Sequence, residues 1–314
     1  MLIGILAGLG AGALWGLTFI APKLVEPFAP FDLALLRNLV FALVSLAILA
    51  RYRAELRAID RRGVVISLLL GLMGYSGYYL FVAYSVVLAG PAIAALVIGA
   101  LPVLLAIAGN MKEKTVSWRA LILPLGLIAL GLGIVNLGAM EAPMQGRSRA
   151  DILLGFLLAV GALLLWLYYG LLNASALKER PRTDAIVWTS LQGIGAGIFM
   201  LAFLPAGLVL GSSRLVDLPL FSALAGPLWF WALVTGAVSS WLATYFWVIA
   251  SNRLSVALSA QLIVSETIFG LVYGFFLEAR WPQSYEWLGS LLLFAGVLAG
   301  IRVLTRNRVH VEAT

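Results

Sequence analysis

A chain of 314 residues that is 62% hydrophobic and 11% charged carries far less charge than a soluble globular domain, where about 25% is usual, and its apolar content excludes disorder. It has no cysteine and one histidine, His310, which excludes disulfides, thiol nucleophiles and metal or acid–base centres built on several imidazoles. The net charge of +7 sits in short loops between apolar stretches, a pattern of membrane topology rather than of nucleic-acid binding.

The chain turns apolar within two residues and lacks the basic head and small-residue cleavage site of a removable signal, so 2–21 reads as a first transmembrane helix. A crossing needs about 20 apolar residues as helix. Further spans lie near 30–50, 63–88, 91–110, 119–138, 150–174, 184–210, 227–250, 254–277 and 286–304. Alternating strands are absent, and only helices or closed barrels satisfy their backbone in lipid. The expected fold is an all-α membrane protein of ten transmembrane helices. Loops after the even-numbered spans, with the C-terminus, hold fifteen Lys and Arg against five on the other side, which predicts cytoplasmic termini.

Spans 3 and 4 meet at Ala89-Gly90-Pro91, and spans 8 and 9 at Ser251-Asn252-Arg253; joints this short force antiparallel neighbours. The stretch from Gly138 to Arg149 reads as a linker between halves, and the longest loop, Gly211 to Gly226, as an outer-surface segment. The expected domains are 1–138, an outer-side linker 139–149, 150–305, and a cytoplasmic tail 306–314.

The halves repeat. A shift of 151 sets Gly4 on Gly155, Gly10 on Gly161, Leu14 on Leu165 and Trp15 on Trp166. A shift of 165 sets Phe81 on Phe246, Ala95 on Ala260, Glu113 on Glu278 and Gly131 on Gly296. Five spans per half is an odd number, so the second half inserts upside down, as in secondary transporters built from inverted repeats around a midplane site. This arrangement predicts Trp15 toward the outer end of the cavity and Trp166 toward the inner end.

Glu266 is the one acid placed mid-span. A charge at that depth is costly and defaults to a functional hypothesis: a coupling-proton site or a partner for a substrate ammonium, against a structural acid bonded to a neighbouring helix. Ser259, Leu262 and Phe269 share its face, with Gln261 and Ser265 in a polar stripe beside it. Arg37, about two turns into span 2, reads as an arginine snorkelling to the interface; pairing with Glu266 or a substrate carboxylate is the alternative. Tyr75, Tyr78 and Tyr79 fall on one predicted face of span 3. These tyrosines, with Trp15 and Trp166, could stack on an aromatic ring or hold an ammonium, against plain packing and interfacial anchoring. Tyr168, Tyr169, Trp241 and Trp247 are lesser candidates. Pro102 inside span 4 removes the hydrogen bond to Ile98 and frees a carbonyl. Ser239, Ser240 and Thr244 line a path or bond to their own helix. Asp151 and Asp184 read as helix N-caps. No Gly-rich nucleotide loop is present.

The segments LWGLTFIAPK, ALLRNLVFAL around Arg37, AGPAIAALVIGALPVLLAI, VSETIFGLVYGFFLEARWP and GSLLLFAGVLAGI resemble the two EamA-type repeats of the drug/metabolite transporter superfamily. Within it the chain is most similar to the YddG-type exporters of aromatic amino acids. One departure is Leu101-Pro102-Val103, where that family often has Glu-Pro-Val, which leaves Glu266 without a second acid. The resemblance implies a secondary transporter rather than an enzyme, in the bacterial inner membrane. It implies export of aromatic amino acids and related small metabolites by alternating access, without metal or cofactor, nucleic acid or a required oligomer. The substrate-binding candidates are Trp15, Tyr75, Tyr78, Tyr79, Pro102, Trp166, Ser240, Gln261 and Glu266, with Glu266 also the proton-coupling candidate. The alternative is a proton-coupled exporter of cationic drugs, nucleosides or other amino acids.

Overall fold

The computed structural model describes residues 1–89, 97–98, 100–113, 117–140, 148–181, 183–277 and 281–312. Among these, regular structure is helical throughout and no strand occurs. The order is α1 (Leu2–Gly16), α2 (Pro30–Leu49), the short α3 (Arg53–Arg57), α4 (Arg61–Gly71), a π-helical segment (Leu72–Gly77) and α5 (Tyr78–Ala89). Then come α6 (Leu101–Glu113), α7 (Trp118–Met140), α8 (Arg149–Glu179), α9 (Ala185–Val209) and α10 (Gly226–Leu233). A second π-helical segment (Val234–Leu242), α11 (Ala243–Arg253), α12 (Val256–Leu277) and α13 (Ser284–Glu312) complete it. Among the described residues, five continuous stretches are long and apolar enough to cross a membrane: Pro30–Leu49, Arg61–Ser85, Arg149–Glu179, Ala185–Val209 and Ala223–Arg253.

The first helix is shorter than its hydropathy suggests. It ends at Gly16 and passes into 3-10 turns up to Leu24. Pro22 has no N–H to continue the α-helical ladder, and the Thr18 hydroxyl donates to the Trp15 carbonyl at 2.7 Å. The start of α8 also differs from expectation. Ser148 is the N-cap and Asp151 sits three residues on, each side chain accepting from the other's backbone N–H, which is the reciprocal capping box. Asp184 caps α9 as the sequence predicts, accepting from the Ile186 and Val187 amides.

The helices are ordered inside out relative to a soluble bundle. Along α8, Leu153, Leu154, Leu157 and Leu164 face outward, while Ala159, Ala162, Trp166, Tyr169 and Asn173 are buried. Lipid tails are as apolar as leucine, so helices in a bilayer associate through close packing of small residues and internal polar contacts. α1 does this with Gly4, Gly8, Gly12 and Gly16, spaced four apart on one face, which meet Leu254, Leu262, Ser265 and Gly270 in turn. α1 and α12 thus run parallel. A Cβ on Gly12 would overlap the Ser265 hydroxyl and come within 2.9 Å of the Glu266 backbone nitrogen. α2 and α9 cross antiparallel, Gly193 meeting Phe41 and Ser45 while Gly207 meets Phe31. α7 and α13 do the same through Gly131 on Gly289 and Gly296 on Ile128. α5 packs on α8, and α11 on α1.

Side-chain ties close both ends of the bundle. Asp32, fully buried near the start of α2, accepts from the Ala29 amide, the Ser213 hydroxyl and the Arg214 amide. At the other end Arg180, just past α8, forks onto Asp60 before α4, with Nε–Oδ1 at 2.7 Å and Nη2–Oδ2 at 3.1 Å. The Arg180 hydrogen bonds hold the Asp60 carboxyl below its ordinary value, and Asp60 in turn holds the guanidinium above its own.

Both the glycine seam and the Arg180 fork can be tested by substitution. Gly12→Val forces α1 from α12 and should cost about 1–3 kcal/mol, read as a lowered melting temperature in detergent. Gly133→Ala, where an added Cβ meets nothing within 4 Å, should leave stability unchanged or slightly raised. Because the Asp60 value is depressed on folding, the fork is present above the ordinary carboxylate range and lost as pH falls through the depressed value, below about pH 4. Hydrogen exchange of the first turn of α4, corrected for intrinsic rates, should rise there. Asp60→Asn should show the raised exchange at every pH.

Candidate substrate site

The interior between α1, α5, α8 and α11 is filled by aromatic rings. Trp15, Trp166 and Trp247 form a triangle with centroids 5.6–6.0 Å apart. Trp15 and Trp166 meet edge to face at 88°, so the two repeat-matched tryptophans touch. The expectation that they sit at opposite ends of a cavity is corrected: their positions are deep enough in both helices to meet. Tyr78 packs on the edge of Trp166 at 6.2 Å, Tyr169 at 5.1 Å, and Tyr75 on Tyr169 at 6.0 Å. Edge-to-face contacts of this kind suit the ring quadrupoles.

A chain of hydroxyls runs beside the rings. Tyr169 donates to Gln192 Oε1 at 3.1 Å. Its single proton is then committed, so Tyr75, whose hydroxyl lies 3.4 Å away, is the donor to Tyr169. The Thr244 hydroxyl, also bonded to Tyr75, is therefore the donor to Tyr75. The direction Thr244 to Tyr75 to Tyr169 to Gln192 comes from counting protons. The Gln192 amide nitrogen, buried at the end of the chain, has no partner among the described residues. Around it Trp188 donates to Asn173 at 2.9 Å, and Trp241 to Ser190 at 3.1 Å.

The three tyrosines of the first π segment and its flank do not share one face. Tyr75 points into the hydroxyl chain and Tyr78 onto Trp166, whereas Tyr79 lies under Arg37, whose guanidinium carbon is 4.6 Å from its ring centroid. Arg37 itself is 5% exposed, which corrects the snorkelling expectation. Its Nη2 donates to the Ser240 hydroxyl at 3.0 Å, and Ser240 donates to the Thr235 carbonyl at 2.8 Å. Glu266 is half-buried on α12, and no hydrogen bond to its carboxylate is found among the described residues. It is within electrostatic reach of Arg37, and Tyr75 and Tyr78 are each within reach of both charges.

Two candidates lie elsewhere. Gln261 is fully buried against Gly300 of α13, with neither amide atom partnered among the described residues, away from the aromatic cluster. Pro102 falls in the first turn of α6, which starts at Leu101 after a turn at Ala100, rather than inside a continuous helix; its side chain lies outside the described residues. The rest of the expected set, Trp15, Tyr75, Tyr78, Tyr79, Trp166, Ser240 and Glu266, is brought into one neighbourhood. Tyr169 and Trp247, lesser candidates in the sequence, join it, and so does Gln192, which the sequence pattern did not single out. Gln192 could have been found as an amide inside an apolar span, where polar side chains are expected to face the bundle interior. A small void lined by Leu105, Gly170, Ala174, Trp247, Ser251 and Ser259 continues from the cluster toward the C-terminal end of α11.

A multi-pass helical membrane protein with a sequestered aromatic and polar interior is the class that this geometry defines. The chain belongs to the EamA-like transporter family, whose model matches residues 2–137. Over 311 residues it is 30% identical to the inner membrane protein YtfF of Escherichia coli (strain K12), covering 96% of each chain. A solved crystal structure has the same fold at a TM-score of 0.73 and 20% identity, over 96% of this chain and 98% of its own.

Thr244→Val should leave the Tyr75 hydroxyl short of a donor in a buried site and cost about 1–3 kcal/mol. In a double-mutant cycle with Tyr75→Phe, chemical or thermal unfolding should give a coupling of at least about 0.5 kcal/mol.

Proposed function

We propose that the protein is a secondary transporter of the bacterial inner membrane that exports aromatic amino acids and related small metabolites by alternating access. The observation that carries this reading is the ring cluster of Trp15, Trp166, Trp247 and Tyr78, flanked by one interior cation and one interior anion. Such walls house an aromatic side chain, while the two charges suit its ammonium and carboxylate. The relative YtfF is named as an inner membrane protein, which supports the location.

Ten spans in two inverted five-span repeats, 1–138 and 150–305, joined by an outer linker at 139–149 and ending in a cytoplasmic tail at 306–314, is the architecture that fits. Several observations support it. The family match ends at residue 137. The α5–α8 pairing has its counterpart in α11–α1 under exchange of the halves. The corresponding helices α2 and α9 run antiparallel, as do α7 and α13. Each half also carries one π-helical segment in its third span. Part of the linker, 141–147, lies outside the described residues.

In the working cycle the halves rock about the cluster, and Glu266 serves as the ammonium partner and the coupling-proton site. Radiolabelled phenylalanine, tryptophan and threonine in proteoliposomes test the reading. Both aromatics should exchange above empty liposomes and threonine should not. Glu266→Gln should abolish accumulation driven by a pH gradient while equilibrative exchange persists. Threonine moving as fast as phenylalanine, or no movement in folded protein, sinks the aromatic substrate. Transport of cationic drugs or nucleosides with Glu266 obligatory would then replace it.

A further inference from the structure

Arg37 is a permanent cation placed where water does not reach, and permanent charges in a protein interior need pairing. It is 5% exposed. One nitrogen donates to a neutral acceptor, the Ser240 hydroxyl at 3.0 Å, and the face of the group rests on Tyr79. Its Nε is fully buried and has no acceptor among the described residues. The nearest acid on its own helix, Asp32, is committed to the Ala29, Ser213 and Arg214 groups described above. Glu266 is within electrostatic reach but makes no ion pair with it. A buried guanidinium whose Nε is open and whose neighbours are the neutral Ser240 and Tyr79 hydroxyls matches a planar, two-oxygen anion better than any group the described residues place against it.

We propose that Arg37 recognises a carboxylate on the transported molecule, so that the site selects small molecules bearing one. The inference rests on the reading of the aromatic cluster as the substrate site. Ser240 holds the guanidinium in the unloaded state. Its own proton is committed to the Thr235 carbonyl, so its oxygen faces Arg37 as an acceptor and is replaced by the carboxylate on loading. The second π segment, which carries Ser240, thereby becomes the part of the bundle that the substrate acid displaces.

The test is calorimetry on the purified full-length protein with four ligands: phenylalanine, phenethylamine, phenylacetate and alanine. In wild type, phenylalanine should bind about tenfold to a hundredfold tighter than phenethylamine, which differs by the carboxylate, in line with a charge-assisted hydrogen bond. Arg37→Gln should erase that difference and leave phenethylamine unchanged; Arg37→Lys should keep part of it. A purely structural arginine would shift acid and amine ligands by the same factor, and that result overturns the proposal. Equal binding of phenylalanine and phenethylamine by wild type also overturns it, with no need for a variant that folds. If phenylalanine fails while phenylacetate binds in an Arg37-dependent way, the aromatic amino acid reading falls and the carboxylate site stands. If no ligand shows carboxylate-dependent binding to monodisperse protein, the carboxylate site is wrong.

Discussion

A bilayer offers a polar side chain no solvent, and each unsatisfied backbone or side-chain group there costs several kcal/mol in the unrelaxed limit. Everything distinctive in this interior depends on keeping its few polar groups away from lipid. The α1 glycine face is the clearest device. Four glycines at a spacing of four let α12 approach until Gly12 lies against the backbone of Glu266. That seam holds the carboxylate inside the protein, within electrostatic reach of Tyr75, Tyr78 and Arg37. A bulky residue at Gly12 would push against the Glu266 backbone and move the acid.

The two π-helical segments do related work. A π turn inserts an extra residue into the helix, rotates the next turns about the axis, and frees carbonyls from the ladder. In the second segment Ser240 bonds the carbonyl five residues back while presenting its oxygen to Arg37. In the first, the rotation splits the tyrosines, Tyr75 and Tyr78 going to the aromatic interior and Tyr79 going under Arg37. The irregular backbone of these two segments is thus placed where polar side chains gather.

Membrane spans are legible in a sequence because lipid imposes both length and apolarity on each one. The helices α2, α9 and α12 accordingly lie within a few residues of their predicted bounds. Pairwise facts are not legible in that way. A helical wheel puts Gln261 next to Glu266's stripe but cannot say that the neighbour there is Gly300 of α13. The depth of Arg37 along its span suggested snorkelling, yet depth says nothing of the neighbour that closes over it. Here Ser240 and Tyr79 do so from two other segments. The three tyrosines defeated a wheel for a different reason, since the wheel assumes 3.6 residues per turn and the π segment departs from it.

The separation of the two interior charges bears on mechanism more than either charge alone. Had Arg37 and Glu266 been in contact, each would satisfy the other, and a ligand would have to break a buried pair, which is strongly unfavourable. Left apart, each stays short of an ionic partner among the described residues. A zwitterion would supply both partners at once and add no net charge, so its desolvation is offset at two points rather than one. A plain cation or a plain anion would answer only one side and leave the interior with an uncompensated charge. On the proposed reading the aromatic triangle would set which zwitterions fit, because Trp166 packs edge to face on both Trp15 and Trp247. A flat ring can replace one of those contacts with another of the same kind, whereas a short polar side chain would leave the edges bare.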